Sequence, residues 1–191
     1  MTIDTPTTQG ATAKDVHDRR VSKLRRDAWV VLALMLGVVV LVTLGKPFIE
    51  IPGLIEGSAH RTRSLDLRFF NGFDNPPVWY GPWTNTLGNI ALFFPLGAVL
   101  TVLGRVSRRV SFGVAFTAVA LAAMSIGIEV AQYVFGLGFS DIDDVACNTI
   151  GGALGGVLLA RADYEAQART LHRLGFVAAV GLCLLLIGLL M

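Results

Sequence analysis

Between Ser125 and Gly156 the sequence reads S-I-G-I-E-V-A-Q-Y-V-F-G-L-G-F-S-D-I-D-D-V-A-C-N-T-I-G-G-A-L-G-G, which sets two groups of oxygen-bearing side chains among strongly apolar residues. Glu129 and Gln132 are three apart, so on a helix they share a face. After a Gly-containing turn, Asp141, Asp144 and Asn148 follow at i, i+3 and i+7, along one face at the start of the next helix. An ionised side chain near the centre of a bilayer costs roughly 2.5–3.5 kcal/mol, so such residues usually face a bundle interior, a partner or a pathway. Oxygen donors without a neighbouring His or Cys suit a hard divalent cation such as Mg²⁺, Ca²⁺ or Mn²⁺. The candidate ligands for such an ion are Glu129, Asp141 and Asp144, and the ion could in turn hold a phosphate.

Each of these residues also has a structural reading. Ser140-Asp141-Ile142-Asp143 has the form of a capping box, with Ser140 as N-cap and Asp143 at N3, and acids in a first turn complement the helix dipole. For Gln132, Asn85 and Asn148, an interhelical hydrogen bond worth about 1 kcal/mol would be explanation enough. Gly151, Gly152, Gly155 and Gly156 fit close helix packing.

The chain that must position these groups has 191 residues, of which 53% are hydrophobic and 16% charged, the balance of a membrane protein. Two Cys, Cys147 and Cys183, both lie in apolar segments, so neither a disulfide framework nor a thiolate metal site is indicated. His17, His60 and His172 fall in expected loops or tails, and no two have metal-ligand spacing. No nucleic-acid partner is expected, and the partner that composition implies is membrane lipid.

Residues 1–27 read as a disordered polar tail that turns basic, through Lys14, Arg19, Arg20, Lys23, Arg25 and Arg26. Ala28 to Gly45 is too long and uninterrupted for a cleaved signal and reads as the first span. The connection from Lys46 to Trp83 carries Pro47, Pro52, Pro76 and Pro77, which argue against a continuous helix; Leu65 to Phe73 is expected to lie along the interface. Trp79, Tyr80 and Trp83 form an aromatic belt at the return to the bilayer. Further spans follow over residues 84–103, with Asn85, Gly88, Asn89 and Leu92 on one face and Pro95 expected to kink it, then 112–135, 141–160 and 174–191. The architecture expected is an all-α, five-helix polytopic membrane bundle over residues 28–191.

Five spans put the basic tail, the Arg105 to Arg109 loop and the Arg161 to Arg173 loop on one side, which the positive-inside rule makes cytoplasmic. Followed in depth, Asn89, Glu129, Gln132, Asp144 and Asn148 then fall together in the outer half of the bundle, with Asp141 at the mouth.

Two blocks of this sequence resemble the VanZ-like family of bacterial membrane proteins, named for an accessory factor in teicoplanin resistance. The family's Asn, aromatic and Pro-x-Gly pattern matches Asn89, Phe93, Pro95 and Gly97. Its later pattern matches Glu129 and Gln132, then Asp141, Asp144, Asn148, Gly151 and Gly152, so that the resemblance covers about residues 85–160. Many members carry an Arg a few residues before the acidic pair; here Gly138 stands in that place, and Arg68 in the outer loop is the expected substitute. The resemblance implies the bacterial plasma membrane and a link to glycopeptide resistance, and it names no reaction.

Three classes of function are open to these residues. One is an enzyme or binding protein that handles a lipid-linked phosphate or cell-wall precursor at the outer leaflet. A second is a small transporter or ion pathway using Glu129. The third is a non-catalytic membrane partner whose polar cluster only fixes helix packing. Oligomeric state is not legible.

Overall fold

The computed structural model describes residues 12–45, 48, 63–107 and 113–190. Five long helices account for most of them: α1 (Ala13–Thr43), α2 (Gly81–Val106), α3 (Val114–Phe135), α4 (Ile142–Ala160) and α5 (Tyr164–Leu190). All five are long and apolar enough to cross a bilayer, and the chain is a multi-pass helical membrane protein. Two four-residue strands, β1 (Arg63–Asp66) and β2 (Gly138–Asp141), accompany them, with a 3-10 turn at Asn71–Phe73.

Two helices begin well before the apolar runs that announce them. α1 starts at Ala13 because Thr12 and Asp15 form a capping box: Thr12 Oγ1 accepts from Asp15 N (3.2 Å) and the Asp15 carboxylate accepts from Thr12 N (3.0 Å). The expected disorder of residues 13–27 is therefore corrected to helix, while residues 1–11 lie outside the described residues. α5 starts at Tyr164 rather than near Leu174 because Asp163 accepts from Ala166 N (2.7 Å), an N-cap that carries the helix through the polar Arg161 to Arg173 stretch. His17 and His172 accordingly lie on helices and not in loops or tails, and His172 Nε2 stands 3.9 Å from Asp27. His60 lies outside the described residues.

At the centre, α2 and α4 make the most extensive contact in the molecule; α3 packs on α4, and α1 pairs with α5 and leans on α2. Lipid tails are as apolar as leucine, so burial alone gives little drive for helices to associate within a bilayer, and close packing decides. A Cβ on Gly97 would meet the carbonyl of Gly152, and one on Gly155 would meet that of Phe94, so the α2 and α4 backbones touch where only glycine fits. Around that contact Phe93, Leu96, Val99, Val102 and Leu121 are fully buried. α2 continues through Pro95 as one helix.

The strands pair in parallel, with Arg63 opposite Gly138, Ser64 opposite Phe139, Leu65 opposite Ser140 and Asp66 opposite Asp141. The first residues of the Leu65 to Phe73 stretch thus form sheet. So short a pair is marginal alone, and side chains anchor it. Arg63 Nη2 donates to Val134 O at the end of α3 (2.8 Å), and Phe70 N donates to both oxygens of Asp143 (2.9 and 2.8 Å). Trp79, Tyr80 and Trp83 are exposed around the start of α2.

Candidate functional site

The end of α3 and the start of α4 face each other across the turn that β2 completes. Ser125, Glu129 and Gln132 are all buried on one stripe of α3. The helix closes at Gly136, whose φ of 64° lies in the left-handed region that favours glycine. α4 opens on Asp141, whose side chain accepts from Asp143 N (2.8 Å). Asp141 is thus the N-cap, and the expected capping box from Ser140 is corrected. Ser140 sits in β2 and turns its hydroxyl to Glu129 O (2.7 Å), while Asp143 receives Phe70 N instead of reaching back to the cap. β2 extends the chain through Ser140, which moves the cap one residue along.

Glu129 Oε2 accepts from Asp141 N (2.9 Å), which ties α3 to the first residue before α4. Asp144, one turn into α4, takes two amides from α2 on its Oδ1: Asn85 Nδ2 at 2.7 Å and Asn89 Nδ2 at 2.6 Å. Gln132 Nε2 donates to Thr43 O at the last turn of α1 (3.1 Å), and Gln132 Oε1 is buried without a partner. Four helices and a strand therefore meet here.

Asn89, Glu129, Gln132, Asp141 and Asp144 are brought together at this end of the bundle, with Asn85 beside them. Asn148 is not part of that surface. It lies one turn deeper at 2% exposure, donating to Ser125 Oγ (2.8 Å) across the α3 and α4 contact. Ser125 is a partner that the i, i+4, i+7 spacing of Ser125, Glu129 and Gln132 could have supplied. Gly97, Gly151, Gly152 and Gly155 pack backbone against neighbour below the site.

Two cavities border these groups. One, of roughly 230 Å³, is polar and lined by Asn85, Gln132, Phe139, Asp141 and Asp144 among others. The second, of roughly 300 Å³, is lined mainly by apolar side chains: Leu65 from β1, Ile126, Val130 and Tyr133 on the outward face of α3, and Ile142 and Val145 of α4, with Glu129 and Asp141 at its polar edge. Asp141 lines both cavities. Burial pushes its carboxyl up to about 6, opposed by the Asp143 N–H and reinforced by the charges of Asp144 and Asp143. Asp66, opposite it in the sheet, is held below the usual carboxylate range by the Arg68 N–H and then the Asn71 amide.

The described residues contain no group of three or more His, Cys, Asp or Glu side chains placed to hold a metal ion. The expected grouping of Glu129, Asp141 and Asp144 around a divalent cation is corrected accordingly: Glu129 turns to a backbone N–H and Asp144 to two amides. Among the described residues, a cation that the sequence did not single out also borders this region. Arg63, not Arg68, stands opposite Gly138 in the sheet, and its guanidinium lies 5.8 Å from the Tyr133 ring centroid. Gly138 itself has a φ of 155°, a conformation that an arginine there would adopt only with strain. Nothing in the spacing of the long connection pointed to Arg63.

Comparison with known proteins places these residues in context. The chain is 29% identical over 128 residues to Protein VanZ of Enterococcus faecium, an alignment that covers 67% of this chain and 71% of that protein. No solved structure matches the chain significantly. A family description, VanZ/LLP1, matches residues 29–162, a stretch that runs from the first membrane helix through the end of α4 and takes in every side chain of the site and both strands that frame it. With that match extending over well more than half of its length, the chain belongs to the VanZ/LLP1 family.

Proposed function

We propose that this protein binds a lipid-linked or cell-wall precursor presented by the outer leaflet of the bacterial plasma membrane, and that it bears through this on sensitivity to glycopeptides such as teicoplanin. The observation that carries the reading is Asp141 bordering a polar cavity on one side and an apolar cavity beside the outward face of α3 on the other. An amphiphile is the class of molecule that needs both surfaces at once. A ligand diffusing in the bilayer could enter past Ile126 and Val130 without crossing water.

The alternative of a purely structural cluster has one observation in its favour, the double engagement of Asp144 by Asn85 and Asn89. The two readings separate in cells and in detergent. Cells expressing Glu129→Gln or Asp144→Asn should lose the glycopeptide phenotype of the wild type, while the purified variants keep their thermal midpoints and membrane levels. Loss of both phenotype and fold would leave the acids as packing groups.

A further inference from the structure

We propose that the crevice between α1 and α2 at the cytoplasmic end of the bundle seats an anionic phospholipid, its phosphate on Arg25 and the first part of one acyl chain over Trp29, Leu100 and Leu103. This site lies at the opposite end of α1 from Thr43 and the acidic mouth, and it does not depend on the reading above.

The inference starts from how Arg25 differs from the cations around it. Among the described residues it is the one Lys or Arg that is half-buried; the others are exposed. Several of those have partners within the chain: Arg20 stands 3.7 Å from Glu165 and over the Tyr164 ring, Arg26 stands 3.4 Å from Asp27, and Arg105 donates to Ala160 O (2.7 Å). Arg25 pairs with no acid among the described residues. Asp27, two residues on, is turned the other way. It lines a separate cavity with Val31 and Leu171 towards α5, where it meets Arg26 and His172. The crevice that Arg25 borders, roughly 100 Å³, is completed by Trp29, Leu100, Leu103 and Ser107, with no acid among these lining residues. A half-buried guanidinium calls for a counter-charge, and a phosphate matches the fork of its N–H donors. The ammonium of a zwitterionic head would bring a second cation to a wall that has nothing to receive it.

The rest of the crevice suits the lipid below its phosphate. Trp29 follows Arg25 by four residues, so it lies one turn deeper on the same face of α1, and it is 59% exposed. An indole at that depth belongs at the boundary between headgroup and chain. Leu100 and Leu103, three apart on α2, give the apolar wall beside it. The volume admits a short length of chain, and the remainder would lie along the outside of the bundle. Arg25 is part of the basic end that the positive-inside rule assigns to the cytoplasm, where basic pockets between spans hold anionic headgroups.

The test uses the full-length protein in dodecylmaltoside with Trp79→Phe and Trp83→Phe, which leave Trp29 as its sole indole. Quenching of Trp29 fluorescence is titrated with phosphatidylglycerol and with phosphatidylcholine, both bearing dibrominated oleoyl chains. Phosphatidylglycerol should quench at about tenfold lower concentration. Arg25→Gln should bring the two lipids together, whereas Lys23→Gln, which removes an exposed charge nearby, should leave the preference intact. Equal quenching by both lipids in the protein that keeps Arg25 overturns the proposal. So does a preference that falls as far with Lys23→Gln as with Arg25→Gln, since attraction to a charged surface counts every cation alike. Should Arg25→Gln fail to fold, competition on the protein that keeps Arg25 decides: unbrominated phosphatidylglycerol should restore the fluorescence at about tenfold lower concentration than phosphatidylcholine does. Recovery with glycerol 3-phosphate alone would assign a site for a soluble anion and overturn the seating of a lipid.

Discussion

The two ends of α4 meet their polar surroundings in opposite ways. At the end near Ala160, donors converge on backbone carbonyls. Arg105 Nη1 reaches Leu159 O (3.3 Å) and Ala160 O (2.7 Å), and Gln167 Nε2 reaches Leu159 O and Ala162 O (3.1 Å each). These are the carbonyls that a helix leaves unsatisfied, and a cation there also complements the dipole. At the end near Asp141, acids complement the dipole equally well, but their side chains border cavities. One end is closed onto its own backbone carbonyls; the other borders two cavities. Polar residues in a membrane helix therefore have no single meaning, and the distinction lies in whether they face the chain's own backbone or a cavity.

The largest effect should come from breaking what joins the two ends. Gly155→Leu would drive a side chain into the Phe94 carbonyl and separate α4 from α2, at a cost of about 3 kcal/mol or more. Thermal unfolding in detergent and the level of inserted protein would both drop. A variant as stable as wild type would mean that the helices pack elsewhere.

Next in size is the closed end. Arg105→Met should lower stability by about 1–3 kcal/mol by orphaning the terminal carbonyls, with the glycopeptide phenotype retained in proportion to the protein that folds. If the phenotype fell further than the level of folded protein, the two ends would not be separable.

A smaller effect is expected below the open end, where Asn148 and Ser125 act as interhelical glue. A double-mutant cycle with Ser125→Ala and Asn148→Ala should return a coupling of about 0.6 kcal/mol, measured by unfolding in bicelles. A coupling near zero would assign the pair no role in packing.

A pH-dependent effect is expected at Asp141. Its carboxyl is raised from 3.8 to about 6, so the folded protein holds that proton more tightly than the unfolded chain does. The stability it contributes is complete below about pH 3.8 and is lost as pH rises through about 6. Relative to Asp141→Asn, which does not titrate in this range, the wild-type thermal midpoint should fall between pH 4 and pH 7. Parallel midpoints for the two proteins would show Asp141 to be ordinary.

How much of this the sequence carried depended on range. The five apolar runs and the glycine spacing of α4 are local signals, and the bundle follows from them. The shared face of Glu129 and Gln132 was legible for the same reason. Hydropathy misplaced the starts of α1 and α5 because it reports where lipid begins, whereas a helix ends where its first N–H groups find a cap. Thr12 and Asp163 supply those caps outside the apolar runs. The site was legible in membership and obscure in wiring. That Glu129 serves the Asp141 backbone, that Asp143 answers Phe70, and that Arg63 stands where Gly138 cannot carry charge all depend on a four-residue sheet too short to show alternation.

The parallel pairing of β1 with β2 also orders events in time. Phe70 and Asp143 are 73 residues apart, and the chain between them must lay down α2 and α3 before either strand has its neighbour. Contacts of such separation form late because the intervening loop must first be closed. During synthesis β1 leaves the ribosome without a mate, and the acidic mouth is completed only when α4 arrives. This end thus matures only after α2 and α3 are in place, and a chain arrested before Asp141 would display Glu129 without the backbone N–H that it receives.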